Sequence, residues 1–197
     1  MIRTRARKAR EDKRGLLIVS SGGIGDTILF SLMIERFMSL VPDGEDVTLV
    51  VRSESQIVHF LFSERVHMMP VDYRKFIRSP LYRFSVSKKI CDLGVRTAIS
   101  SDHLRLPTVD DVMIMASGAA ARYALTPRSW PKHDAALMRH REWYTNWIEP
   151  EPAMAHRLIR WWELARGLTK DDTPPPKVTF APERLPAAVK GERPHIV

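Results

Sequence analysis

The residues of this sequence best suited to chemistry lie in one turn. Ser20-Ser21-Gly22-Gly23-Ile24-Gly25-Asp26-Thr27 joins a short apolar run, 16–19, to a longer one, 26–40. Glycine-rich turns between a strand and a helix usually cradle a phosphate. A P-loop needs Gly-Lys-Ser/Thr after its glycines, so that lysine meets the phosphates and the hydroxyl meets magnesium. Here Asp26 and Thr27 stand in those places. The dinucleotide fingerprint Gly-x-Gly-x-x-Gly accepts Gly23 and Gly25, but Ile28 occupies the third glycine position. What remains is a carboxylate. Gly22, Gly23 and Gly25 let the backbone leave the strand without Cβ clashes. Asp26 then falls in the first helical turn, where unpaired N–H groups and the helix dipole favour negative charge. Two readings stay open. Asp26 is a plain helix cap, or it is an ionised carboxylate at a crevice mouth, taking a proton from a hydroxyl that is bonding to an electrophilic carbon.

A second group is basic. Residues 73–91, YRKFIRSPLYRFSVSKKIC, carry six Lys/Arg and no acid. Arg74, Lys75, Arg78 and Arg83 could hold an anionic saccharide; the competing reading is an exposed surface loop. Tyr73, Phe76, Tyr82 and Phe84 interleave with them, but no nucleic-acid module frames the segment. Ser20, Ser21, Ser101 and His103 follow strand ends, and His103 could orient a sugar hydroxyl or a phosphate. Asp110 and Asp111 pair like metal ligands but stand at a helix start, where acids complement the dipole. No Cys/His cluster supports zinc. Met33, Met38, Met68, Met69, Met113, Met115 and Trp161–Trp162 read as packing residues.

The elements that must position these groups alternate. Strand-like runs fall at 16–19, 47–51, 66–72, 95–101 and 121–125. Between them, 26–40 reads as one helix with Thr27, Ser31, Glu35 and Ser39 in a narrow polar stripe. Residues 53–62 read as a short Ser-capped helix, and 108–118 as a helix capped by Thr108 and closed by Gly118. No tight hairpin joins neighbouring strands. The pattern predicts an open, doubly wound, mostly parallel α/β sheet, with ligands beyond the carboxyl ends of its strands. All five tryptophans fall between 130 and 162. Residues 151–168 read as a helix with Pro152 at its start, Gly167 at its end, and an apolar face of Met154, Leu158, Trp161, Ala165 and Leu168. The proline-rich stretch 171–186 reads as an extended connector, and RPHIV at 193–197 as the start of a further strand.

Composition fits this picture. The 197 residues are 44% hydrophobic and 27% charged, an ordinary balance for a packed domain. No apolar run reaches the length of a membrane span, and no signal-peptide pattern opens the chain. Cys91 stands alone, which fits a reducing compartment. The net charge of +8 is mostly a property of residues 1–14, which hold seven Lys/Arg against two acids and read as a disordered tail.

The stretch LLIVSSGGIGDTILFSLMIERFMSLVPDGEDVTLVVRSES (16–55) resembles the N-terminal region of the ADP-heptose:lipopolysaccharide heptosyltransferases, glycosyltransferase family 9. The shared pattern is a strand, a Gly-Ile/Leu-Gly-Asp turn, an apolar helix, Pro-Asp and a second strand. It extends to GAAARYAL (118–125) and departs at Leu32, where many members carry proline. The resemblance implies a Rossmann-like acceptor-binding domain over 15–170, the N-terminal half of a GT-B glycosyltransferase. It implies a linker over 171–190, and at 191–197 the beginning of a donor-binding domain, without which the chain would be inactive. It also implies metal-independent, inverting transfer from an ADP-heptose-like nucleotide-sugar to an anionic lipopolysaccharide-core saccharide, with Asp26 as general base and no cofactor. Ser21, Gly22, Gly23, Gly25, Thr27, Arg74, Lys75, Arg78, Arg83 and His103 form the candidate acceptor site. The expected setting is the cytoplasm, with peripheral contact at the inner membrane and no nucleic-acid partner. The alternative is a non-catalytic α/β module that binds an anionic sugar or nucleotide.

Overall fold

Every strand lies parallel to its neighbours, so each connection must cross the sheet, and helical segments make the crossings. The computed structural model describes residues 13–180. The strands are β1 (Leu16–Val19), β2 (Val47–Arg52), β3 (Val66–Val71), β4 (Thr97–Ser100), β5 (Ala121–Leu125) and β6 (Asn146–Ile148), arranged β3-β2-β1-β4-β5-β6. β1 pairs with β2 on one side (Leu16 with Val47) and β4 on the other (Leu16 with Thr97). The chain therefore builds outward from β1 in one direction, then returns to β1 and builds in the other. The reversal falls between β1 and β4, the position at which sheets of this topology hold ligands in a crevice beyond their carboxyl ends.

β1 is buried on both faces, as its unbroken apolar run requires. Leu16 and Ile18 face one core with α1 (Ile24–Ser31), α2 (Ile34–Met38) and α7 (Arg157–Thr169). Leu17 and Val19 face another, with α3 (Tyr73–Arg78), α4 (Pro80–Asp92) and α5 (Val112–Ala116). A sixth helix, α6 (Asp134–Arg139), precedes β6. In the first core Trp161 meets Phe30 edge-on at 5.0 Å, and Phe30 stacks on Phe37 at 5.4 Å. Side chains of this size contribute about 1.5–3 kcal/mol each on burial. No helix among the described residues is long and apolar enough to cross a membrane.

The doubly wound expectation holds, and several elements differ in detail. The helix expected over 26–40 is two helices broken at Leu32–Met33, and Thr27 and Ser31 of its polar stripe are buried. Residues 53–61 form a 3₁₀ segment kinked at Val58, with no side-chain cap. The basic segment is not a loop. Asp72 caps α3 through the Lys75 N–H (2.9 Å), and Ser79 with Pro80 restarts the chain as α4. Residues 107–111 form a π-turn ahead of α5; Thr108 does not cap it, and Gly118 closes the unit at φ +55°.

The last helix begins only at Arg157. The carbonyls of Glu151 and Ala153 accept from the Arg160 guanidinium, which holds 151–155 off the helix axis, and Met154 lies almost fully exposed outside it. Gly167 is inside α7, not at its end. A Cβ there would stand 2.6 Å from the Ile148 side chain. Residues 171–180 carry no regular structure and lie back on the domain, with Arg36 and Trp162 donating to the Thr173 carbonyl. The readings of residues 1–12 as a tail and of 181–197 as linker and new strand lie outside the described residues.

Candidate functional site

β1 leads directly into the crevice. Ser20 N–H donates to Val50 O on one side, and Ser101 N–H to Val19 O on the other, so the turn is pinned between two strand ends. Gly23 is the N-cap of α1 in an extended conformation, and Asp26 occupies the third helical position. The Asp26 carboxylate reaches back to accept from the Gly23 N–H at 3.1 Å. The plain-cap reading thus describes half of what Asp26 does. Its side chain is one-third exposed, and the same Oδ2 lies 2.8 Å from Nη1 of Arg157, the first residue of α7. Among the described residues nothing bonds Oδ1.

Arg157 also meets a second carboxylate, Asp102 Oδ1, at 3.2 Å. Asp102 follows β4 and is buried. Both the backbone N–H and the hydroxyl of Ser21 donate to its Oδ2, at 2.6 and 2.9 Å. The two Arg157 contacts are ion pairs by distance only. Arg157 Nη1 and Asp102 Oδ1 are enclosed, yet neither makes an aligned hydrogen bond. Asp110 lies behind them, buried, accepting from the Leu106 N–H at 2.6 Å with its other oxygen unpartnered among the described residues. Burial raises the Asp102 carboxyl above the ordinary aspartate range, against the pull of Arg157 and Ser21. Burial raises Asp110 well above that range, and the Asp102 charge adds to it. Tyr73, whose hydroxyl points to Ser20 O at 3.4 Å, is raised well above its usual value by burial and then by these two carboxylates.

The glycines divide by role. A Cβ on Gly22 would lie 2.4 Å from Asp26 Cβ and 2.7 Å from Arg157 Nη1, so only glycine fits there. Cβ atoms on Gly23 and Gly25 would meet nothing, and none of the three has a positive φ. The expectation that all three relieve clashes is corrected to Gly22 alone. Thr27 is buried and donates to Gly23 O at 3.0 Å, turned away from the crevice.

The other predicted residues spread over three places. Arg74 lines a hollow of about 290 Å³ with Arg52, Glu54, Asp72 and Tyr73 beyond β2 and β3, and Arg52 Nε donates to Ser21 O at 2.7 Å, joining this hollow to the turn. Lys75 sits 3.8 Å from Asp72, and Arg78 is exposed on α3. Arg83 is structural. It donates to the carbonyls of Phe76 and Ile77 at 3.0 and 2.9 Å and lies over the Phe76 ring, closing the end of α3. His103 lines a larger cleft of about 630 Å³ with Thr126, Arg128, Glu149, His156 and Arg160. Burial, then the Arg160 charge, lowers its pKa and so favours the neutral ring. The His156 ring caps α7 and thereby sets where Arg157 enters the crevice.

Asp110 and Asp111 are buried rather than dipole partners at a solvated helix start. Asp111 holds Arg105 Nε at 2.7 Å, the Tyr144 hydroxyl at 2.7 Å and His140 Nδ1 at 3.1 Å. Arg105 is itself buried between the Tyr144 and Trp147 rings and donates to Leu125 O, fixing the β4 and β5 ends that frame the crevice. Among the described residues no group of three or more His, Cys, Asp or Glu side chains is placed to hold a metal ion.

The sequence matches no protein-family model and no curated protein. The fold matches solved structures. A family 9 glycosyl transferase from Veillonella parvula aligns with TM-score 0.63 and 15% identity, over 82% of this chain and 43% of that one. The E. coli heptosyltransferase WaaC with ADP aligns with TM-score 0.59 and 16% identity, over 82% and 50%. The same enzyme with ADP-2-deoxy-2-fluoro heptose aligns with TM-score 0.63 and 15% identity, over 86% and 53%. The chain thus spans about half the length of the solved structures it matches, and shares their fold over that half.

Proposed function

We propose that this chain is the acceptor-side domain of a glycosyltransferase of the heptosyltransferase type. The observation that carries the reading is the placement of Asp26. Its carboxylate stands at the strand-order reversal, anchored through Oδ2, with Oδ1 unbonded and part of the side chain open to solvent. Likeness of fold to a family 9 glycosyl transferase and to a heptosyltransferase solved with ADP supports it. In the reaction, an acceptor hydroxyl oxygen bonds to the anomeric carbon of a nucleotide-sugar from the face opposite the diphosphate. The bond to the diphosphate breaks, its electron pair leaves with the nucleotide diphosphate, and the hydroxyl proton passes to Asp26 Oδ1. The chemistry is metal-independent and inverts the anomeric centre. The donor is ADP-heptose-like and binds in a second domain of GT-B type.

The acceptor is an anionic, lipid-linked saccharide of the lipopolysaccharide-core kind. Arg74 in its hollow and His103 in its cleft flank the turn on opposite sides and suit contacts to such a ligand. Exposed Leu81 and Phe84 on α4, among Arg78, Lys88 and Lys89, suit peripheral contact with an anionic membrane surface from the cytoplasmic side. The test is sugar transfer by the native gene product and by Asp26→Asn. The variant is expected to lower kcat by roughly 10²–10⁴-fold with folding intact. Wild-type turnover in a folded Asp26→Asn protein would remove the base role. A second reading, a module that binds an anionic sugar or nucleotide without turnover, is favoured by the hold of Arg157 on Asp26. Ligand binding with no transfer from any nucleotide-sugar would select it.

A further inference from the structure

Three polar atoms converge beyond the carboxyl ends of β1 and β4 without satisfying one another. Arg157 Nη1 is enclosed and lies within ion-pair distance of Asp26 Oδ2 and Asp102 Oδ1, yet makes an aligned hydrogen bond to neither. The two acids are tied down from behind, Asp102 by the N–H and hydroxyl of Ser21 and Asp26 by the Gly23 N–H. The guanidinium is the one member on a long, flexible side chain, and about a third of that side chain is exposed. A poorly aligned ion pair has little to lose by exchanging partners. A planar guanidinium fork matches phosphoryl and carboxylate oxygens, two bonds at a time.

The geometry points to Arg157 as an oxyanion anchor: a phosphoryl or carboxylate group entering the crevice draws its guanidinium off Asp26. Substrate binding and exposure of the Asp26 carboxylate then become one event. Asp102 stays in place and keeps part of the guanidinium charge compensated during the exchange. The absent Cβ at Gly22 leaves the room in which the guanidinium sits. Linkage makes the effect reciprocal. Whatever factor the anion takes from the Arg157–Asp26 pair, removal of the Asp26 charge returns to anion affinity. The catalytic meaning of the exchange rests on Asp26 being the base; the binding itself does not.

The test is calorimetric titration of the protein with inorganic phosphate, pyrophosphate and glucuronate at fixed ionic strength, which separates phosphoryl from carboxylate ligands. Wild type is expected to bind at least one. Arg157→Gln is expected to lose about tenfold or more, and Asp26→Asn to bind several-fold more tightly. The ¹³C resonance of the Asp26 carboxyl is expected to shift on binding in wild type and to stay fixed in Arg157→Gln. Should Arg157→Gln fail to fold, Arg157→Lys keeps the charge without the fork and should still weaken binding. Binding of none of the three, equal binding by Arg157→Gln, or no gain in Asp26→Asn would each overturn the anchor. The base reading fails separately, by undiminished transfer in Asp26→Asn.

Discussion

Gly22 and Asp26 approach so closely that a methyl group on the first would stand 2.4 Å from the Cβ of the second. The missing Cβ leaves the room that the Asp26 side chain and Arg157 occupy, and the Gly23 N–H ties the carboxylate to the turn. Gly22→Ala is expected to cost about 1–3 kcal/mol and to displace Asp26 or Arg157. Gly25 sits in the first turn of α1 with open space around it. Gly25→Ala is therefore expected to stabilise the fold by about 0.4–1 kcal/mol. Urea denaturation of both variants checks the pair, and equal effects of one sign would reject the distinction.

Asp110 carries the pH prediction. Its folded pKa is raised, so between the unfolded value of about 3.9 and the raised value the folded chain binds more protons than the unfolded one. Stability contributed by this group is present below that window and lost as pH rises through it. Asp110→Asn keeps an oxygen for the Leu106 N–H and cannot ionise. The variant should lose less stability than wild type as pH rises above the unfolded aspartate value of about 4. Parallel stability–pH curves for the two proteins would contradict this.

Arg105 and Asp111 are a buried pair fixed by aromatic rings and a tyrosine hydroxyl. Removing one partner leaves a buried charge uncompensated, at about 3–5 kcal/mol. Arg105→Ala and Asp111→Ala should each fall in that range. Replacing three members of the group together, by Arg105→Met, Asp111→Leu and Tyr144→Phe, should recover part of the loss, since His140 still gives up its Asp111 partner. Thermal unfolding of the single and triple variants measures both halves of the prediction.

Arg74 and Arg83 look alike in sequence and are expected to separate in assay. Arg83→Ala should lower stability by roughly 0.5–1.5 kcal/mol, through its lost bonds to the α3 carbonyls, and leave the acceptor KM unchanged. Arg74→Ala should leave the unfolding midpoint in place and raise KM. A KM rise of the same size in both would assign Arg83 to the site after all.

The parts of this structure that were legible in the sequence are those set by local pattern. β1 and β5 fall where their apolar runs fall, and the turn after β1 announced both the crevice and Asp26. Asp102 and Arg157 were not legible, because each matters only through a neighbour brought close by strand order. Ser101 and His103 follow a strand end in the sequence pattern, and Asp102 between them has the same address. An acid directly after a strand end, between Ser101 and His103, is the signal the sequence offers. The start of α7 was misplaced because Pro152 suggested an entry, whereas Arg160 takes the carbonyls that a helix there would need. The helices within 73–92 lacked an apolar period, since Leu81 and Phe84 point outward; Asp72, Ser79 and Pro80 were the caps that mark them.

The margins of the sheet decide how this domain can be joined to anything else. β3 is an edge strand and carries Pro70, opposite Val51, so its open side offers an incoming strand one donor fewer. β6, at the far edge, is only three residues long. Among the described residues, both margins are poor templates for strand addition, the route by which sheet edges stick to copies of themselves. Among the described residues, the surfaces best suited to a neighbouring domain are the helical faces and the loops beyond the strand ends. The loops where Asp26 and Arg157 meet are one of these surfaces.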